Sequence, residues 1–434
     1  MTEEKTNEFA TDPVPDSATV GWFRVAMVAA MVSFSLPMFL TGLEISVIHS
    51  PSQTLLILVV GSLILTLIGC ITAAIGASTR LSSYMLNRVA FGRRGAALVN
   101  LAFAISLLGW FGVNIDLFSS AVLRLAEDIF GYSLPSWPVE LFAGIAMTVT
   151  TVFGFRAINV LSMILTPVLI AVTAQLIAGS LELTSINELM AIEVNSGASF
   201  GDGVSAVVGA VIVGAVILPD ITRFIRHWRG AVYVVLIAYF LVNLIVTVAG
   251  GLSATALGDD DLLNIMITLG IGFAAFAIVI LGSWVLNSLN LYSTMLSVES
   301  TLPKLNPTVL VTVLGLLGTI AAFMDVLEHF LSFLFYLSIV FVPVAGVIVV
   351  DFLFVRRTAY QESRTVLEEN VRPVAIISWL VGAAVALVGS WGWFSLTRIA
   401  AIDAMLAAAF TYFLLSQFTN HPTQKSAQNG GAIQ

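Results

Sequence analysis

Charge is what this 434-residue chain has least of. Asp, Glu, Lys and Arg together make up 10% of it, against about a quarter of a typical soluble domain. So few ionised groups cannot cover a water-facing surface of this size, which excludes a soluble globular fold. Cysteine is nearly absent. The single Cys70 lies midway along an apolar run, so a disulfide scaffold is excluded too. Basic charge is in deficit, with 18 Lys and Arg against 26 Asp and Glu, and a net charge of −8 gives no sign of nucleic-acid binding. The N-terminal MTEEKTNEFATDPVPDSA lacks a basic segment followed by a short apolar core and a small-residue cleavage site, so it reads as a polar tail and not a signal peptide. What the chain has in abundance is apolar side chain: 58% of residues are hydrophobic and the mean hydropathy is +1.00. That excess excludes intrinsic disorder. The class that remains is an all-α polytopic membrane protein embedded in a lipid bilayer.

A helix needs about 20 apolar residues to cross the hydrocarbon core. Twelve segments qualify, with approximate limits 22–48, 53–77, 95–125, 137–156, 157–179, 201–222, 229–252, 265–296, 306–324, 331–354, 371–390 and 398–418. Between the second and third lies STRLSSYMLNRVAFGRRG, amphipathic and basic, which reads as a helix lying on the membrane surface. Threading twelve spans from a cytosolic N-terminus leaves only Arg124 and Arg398, of the 18 Lys and Arg, on the outer side. The excess of basic residues on one face predicts that both termini are cytosolic. Residues 1–20 and 419–434 are then cytosolic tails around one transmembrane unit, 21–418.

Two spans carry residues that interrupt helices. The first holds Pro37 and Thr41-Gly42, with Glu44 just beyond, and the sixth holds Gly209, Gly214 and Pro219. They open two five-helix units, about 22–179 and 201–354, followed by extra helices at about 371–418. Interrupted helices at equivalent places in two halves are a pointer to a transport site, because a broken helix in lipid must re-satisfy its freed backbone groups. Breaks at Gly42, Gly209 and Gly214 are the expectation.

Several motifs in register resemble the nucleobase–cation symporter family of purine and cytosine permeases, bacterial cytosine permeases above all. Gly109-Trp110-Phe111-Gly112-Val113 on the third span is similar to that family's Trp-x-Gly stretch. Pro13-Val14-Pro15 before Asp16-Ser17-Ala18, Ala90-Phe91-Gly92, and Pro219-Asp220-Ile221-Thr222-Arg223-Phe224 resemble further family segments. So do Trp284, Asn287 and Tyr292, and Pro343-Val344-Ala345-Gly346 followed by Asp351 and Arg356-Arg357. The resemblance runs from about residue 13 to 415. It implies a LeuT-like inverted five-plus-five-helix fold with helices 1 and 6 broken, two added C-terminal helices, alternating access and a place in the bacterial cytoplasmic membrane.

The resemblance also implies site residues. Trp110 would stack flat on a planar heterocycle, which an aromatic ring does at little entropic cost. Asn114 shares its helix face and offers an amide donor and acceptor. Phe34 would flank the ligand. Asn287 would belong to the site and Asn290, three residues on, would support it. Val211 and Val213 stand in the stretch where relatives contact cytosine. Glu44 and Asp116 are carboxylates at membrane depth, and such groups are candidates for carrying a proton or cation. Sodium-coupled relatives use span-eight hydroxyls to complete a cation cage. The two residues before Asn287 are Val285 and Leu286, which offer no side-chain oxygen to a hard cation. The coupling ion, H⁺ or Na⁺, therefore stays open, with a proton favoured.

No enzyme signature is present. His49, His227, His329 and His421 have no metal-ligand spacing, and neither a phosphate-cradling Gly-Lys-Ser/Thr motif nor a Gly-x-Ser-x-Gly elbow occurs. No cofactor is implied. The resemblance implies a cation-coupled secondary transporter importing a nucleobase or related planar heterocycle. The alternative is a same-fold carrier of another small polar molecule, such as an amine or amino acid, proton-coupled or uncoupled. The oligomeric state is left open, a monomer included.

Overall fold

The computed structural model describes residues 12–131, 133–153, 155–194, 197–302, 305–323, 329–360 and 369–419. Among them no β-strand forms, and Val20 and Ile225 make one isolated bridge. Helix is the expected outcome, since only intra-segment hydrogen bonds satisfy the backbone of a single span in lipid. The chain runs through α1 (Trp22–Ser33), α2 (Leu36–Ile48), α3 (Pro51–Thr79), α4 (Ser83–Phe130), α5 (Trp137–Val152), α6 (Phe155–Leu183) and the short α7 (Ile186–Met190). It continues through α8 (Phe200–Ile217), α9 (Pro219–Thr222), α10 (Trp228–Val235), α11 (Asn243–Leu257), α12 (Leu262–Thr268), α13 (Gly272–Thr301), α14 (Pro307–Ala322), α15 (Phe330–Val350), α16 (Pro373–Ser390) and α17 (Ala400–Thr419). Each expected span meets a helix. Among the described residues, 8 helices are long and apolar enough to cross a membrane, or 9 if the bent pair α1–α2 counts as one. The apolar helices α5 and α14 have 16 residues each and fall short of that length.

The packing carries the signature of two inverted halves. Contact between α2 and α11, in the first and seventh expected spans, is mirrored by contact between α8 and α3, in the sixth and second. The α4–α14 contact is mirrored by α13–α5, and α8–α15 by α1–α6. In every case exchanging each span for its counterpart five places away in the other half converts one pair into the other, as the fold predicts.

The breaks do not fall where the glycines suggested. The first span bends by 46° between α1 and α2. The bend lies at Phe34 (ψ 19) and Ser35 (ψ 154), seven residues before Gly42. Pro37 explains it, because proline cannot extend α1 but fits the first turn of α2. Ser35 Oγ donates to Val32 O at 2.7 Å, which satisfies one carbonyl freed by the break. Gly42 is helical and serves close packing: a Cβ there would lie 1.8 Å from Thr247 O on α11. α8 runs unbroken through Gly209 and Gly214, and the irregularity comes only at Leu218, before Pro219. A Cβ on Gly209 would lie 1.7 Å from Leu334 O of α15. Small residues at helix crossings in membranes have this use, and it is indistinguishable in sequence from a hinge.

The basic amphipathic segment before the third span is also placed differently. α4 is two arms joined at Gly92, whose φ of 75° and ψ of 169° only glycine adopts easily. The first arm does not lie on a lipid surface. Tyr84, Met85, Leu86, Asn87, Val89, Ala90 and Phe91 are all buried. Tyr84 Oη donates to Ser293 O at 2.7 Å, and Ser83 N and Oγ donate to Asp220 Oδ1 at 2.8 and 2.7 Å. A second polar knot forms around the fully buried Asp351. It accepts from Arg356 (3.0 and 3.1 Å), Arg372 (3.4 Å), Tyr360 (2.8 Å) and Tyr412 (2.7 Å). The same arginines reach Val89 O and Ala90 O, tying α4 to the end of α15, the start of α16 and, through Tyr412, α17. A buried carboxylate is tolerated because every neighbour in that knot donates to it.

Candidate substrate cavity at the break in the first span

The bend of the first span opens onto a cavity of about 60 Å³ deep in the bundle. Ser35 and Met38 line it from the break, Leu107 and Trp110 from α4, and Ala210, Val211, Val213 and Gly214 from α8. Tyr239 closes one side and Leu286, Leu289, Asn290 and Ser293 of α13 another. Trp110 is held by two edge-on neighbours, Phe333 at 5.4 Å and Phe330 at 6.1 Å between ring centroids, with interplanar angles of 69° and 83°. Those contacts fix the plane of its indole before any ligand arrives. Tyr239 sits in a π-helical stretch, Leu236–Val242, a local widening that is frequent at functional sites. Ser33 Oγ, on the residue immediately before the bend, donates to Ala238 O in that stretch at 2.8 Å.

Of the residues the sequence singled out, the structure gathers Trp110, Val211, Val213, Gly214 and Asn290 on this cavity. Phe34, Asn114 and Asn287 are buried beside it but do not line it. Asn114 Nδ2 donates to Trp110 O at 2.7 Å, and Asn287 Nδ2 donates to Phe111 O at 2.8 Å, joining α13 to α4. Both Oδ1 atoms are buried without a hydrogen-bond partner. Glu44 and Asp116 are half-buried and lie off the cavity, and among the described residues no carboxylate lines it. Val285 is buried and Leu286 faces the cavity. The break itself faces α13: a Cβ on Gly282 would lie 3.9 Å from Phe34 O, and the neighbouring Ser283 Oγ is buried without a partner.

Sequence reasoning missed Ser35, Met38, Tyr239 and Ser293. Tyr239 carried no signal, because nothing in an apolar run announces a π-turn. The Ser35-Leu36-Pro37 step did carry one, as an Ser–x–Pro helix start. His49 has no metal-ligand spacing in the sequence. It is buried at the end of α2 with Nε2 unpartnered, and it lines a separate cavity of about 470 Å³ with Asp202, Tyr336 and Trp391.

A mostly apolar cavity with a few polar groups, set at a discontinuous helix between inverted halves, is the arrangement of a secondary transporter's substrate site. The chain belongs to the family described as permease for cytosine/purines, uracil, thiamine, allantoin, whose model matches residues 13–415. It is 29% identical over 418 residues to the cytosine permease of Escherichia coli K12, covering 96% of each chain. It is 24% identical over 368 residues to the hydantoin permease of Microbacterium maritypicum, covering 78% and 74%. Its fold is similar to that of Mhp1, a nucleobase-cation-symport-1 family transporter solved closed with bromovinylhydantoin bound. The TM-score is 0.80 at 19% identity, with 94% of each chain covered. A Na⁺-coupled sialic acid symporter also shares the fold, at a TM-score of 0.69 and 12% identity.

Proposed function

We propose that this permease imports a neutral nucleobase or closely related planar heterocycle by alternating access, binding it against Trp110 in the cavity at the first-span break. The observation that carries the reading is the lining: one indole fixed in plane, hydroxyls from Ser35, Tyr239 and Ser293, and the Asn290 amide, all in apolar surroundings. That set suits a flat ring with a few hydrogen-bonding edges. A cationic amine is disfavoured, because no carboxylate among the described residues stands on the cavity to offset its desolvation. Ligand pockets usually enclose about 300–1,000 Å³, so a cavity of 60 Å³ must widen to admit a ring. The bend at Phe34–Ser35 is the joint that allows it. The test is a thermal-shift screen of the purified chain. Cytosine, uracil and hypoxanthine should raise the unfolding midpoint by mass action, and choline and free amino acids should leave it unchanged. Stabilisation by the amines alone would overturn the reading.

We propose further that transport is driven by a proton, carried by Glu44 or Asp116. Both stand off the cavity, so the proton would act through movement of α2 or α4 and not by touching substrate. A second reading, Na⁺ held at the break, is favoured by the Phe34 carbonyl facing α13 and by the unpartnered Ser283 hydroxyl. Uptake into proteoliposomes under an imposed pH or Na⁺ gradient separates the two. The same proposal places the chain in the bacterial cytoplasmic membrane with both termini cytosolic.

A further inference from the structure

The loop between α9 and α10 folds back under the start of the first span. Val20 N donates to Phe224 O at 2.8 Å, beside the Val20–Ile225 bridge. Between this pairing and the start of α10 lies a cavity of about 540 Å³. Its chemistry is set by Trp22, Arg226, His227, Trp228, Arg229 and Tyr233. Among the described residues no carboxylate lines it. Among the described residues neither Arg226 nor Arg229 enters an ion pair, although Arg80, Arg124, Arg356 and Arg372 all do. Guanidinium groups gathered on one cavity without a counter-ion repel one another until an anion is placed between them. The aromatic residues add a second requirement. Trp22, Trp228 and Tyr233 are 38%, 52% and 51% exposed, Trp22 and Tyr233 meet at 5.7 Å between ring centroids, and Arg229 lies over Trp228 at 5.7 Å. Exposed indole and phenol rings at one level of a membrane protein mark the boundary of the bilayer, where one end of each ring is apolar and the other wet.

We infer that this cavity is a binding site for the headgroup of an anionic phospholipid of the cytosolic leaflet. The phosphate sits between Arg226 and Arg229, whose planar forks match phosphate oxygens, and the glycerol and upper acyl chains lie along Trp22, Trp228 and Tyr233. The inference rests on the cytosolic placement of this face and is independent of the substrate reading. Free inorganic phosphate would satisfy the arginines but not the exposed rings. A lipid here bridges the first and seventh expected spans, so it stabilises their pairing.

The test uses the full chain in detergent, with native mass spectrometry and the unfolding midpoint as readouts. Phosphatidylglycerol should bind and raise the midpoint, and phosphatidylcholine should do so far less. In an Arg226→Gln/Arg229→Gln double variant, affinity for phosphatidylglycerol should fall about thirtyfold, from roughly 1 kcal/mol lost per arginine. Arg226→Lys/Arg229→Lys should keep most of the binding. The lipid-free midpoint of each variant reports whether folding is intact. Should the glutamine variant fail to fold, the parent's binding must still weaken with added salt. Three outcomes overturn the proposal: equal binding of phosphatidylcholine, unchanged binding by the glutamine variant, or a midpoint shift reproduced in full by inorganic phosphate.

Discussion

Trp110 concentrates the chemistry of the cavity at one side chain. Replacing it with Ala should weaken substrate binding by a factor of roughly five to one hundred, corresponding to about 1–3 kcal/mol for one base–aromatic stacking partner. Equilibrium binding of labelled nucleobase measures this, with the unfolding midpoint as a folding control. The two amides of α13 should separate into different roles. Asn290 lines the cavity, so Asn290→Ala should lower affinity and leave stability unchanged. Asn287 donates to Phe111 O in the closed core, so Asn287→Ala should also lower the stability by about 1 kcal/mol. An Asn290 variant with lowered stability and unaltered binding would reverse that assignment. Spacing could place Asn287 and Asn290 on one helix face, but it could not say which of them reaches the cavity. That depends on how α13 is rotated against α4.

At the scale of elements, helix content and a break in the first span were legible, but the glycines misplaced that break. Apolar length reports spans because the bilayer fixes it. Glycine in a span has two physical uses, a hinge and a close crossing, and composition does not separate them. Gly42 and Gly209 turn out to be crossings, against Thr247 and Leu334, and the bend follows Ser35 and Pro37. The expectation for the basic arm of α4 failed for a related reason. Its Arg88, with Arg93 and Arg94 just past the Gly92 joint, advertises a membrane face, while its apolar side is covered by protein. Two predictions belong here. Gly209→Ala should destabilise the protein by about 1–3 kcal/mol through overpacking against α15, read as a lower unfolding midpoint. Asp220→Asn removes the negative charge held at the N-terminus of α4 by Ser83 N and Oγ, which should cost about 1 kcal/mol and loosen this arm. Faster amide hydrogen exchange over residues 83–91 would register the loosening, and unchanged exchange there would contradict it.

For the whole molecule, the mirrored packing of the two halves joins sequence to function. It makes the first-span break a joint between units that can rock against each other around a fixed site. Asymmetric basic charge sets the expected topology, and cysteine labelling should find the Asp259–Asp261 loop outside and residues near both termini inside. The central claim is that the cavity at Phe34–Ser35 takes up a nucleobase-like ring against Trp110. Its most direct test is uptake of radiolabelled cytosine, uracil and hypoxanthine by proteoliposomes holding the purified chain, run beside Trp110→Ala. Saturable uptake of at least one of these, competed by unlabelled heterocycle and lost in Trp110→Ala, is the predicted result. Uptake of none of them, or full uptake by the Trp110→Ala protein, would contradict it.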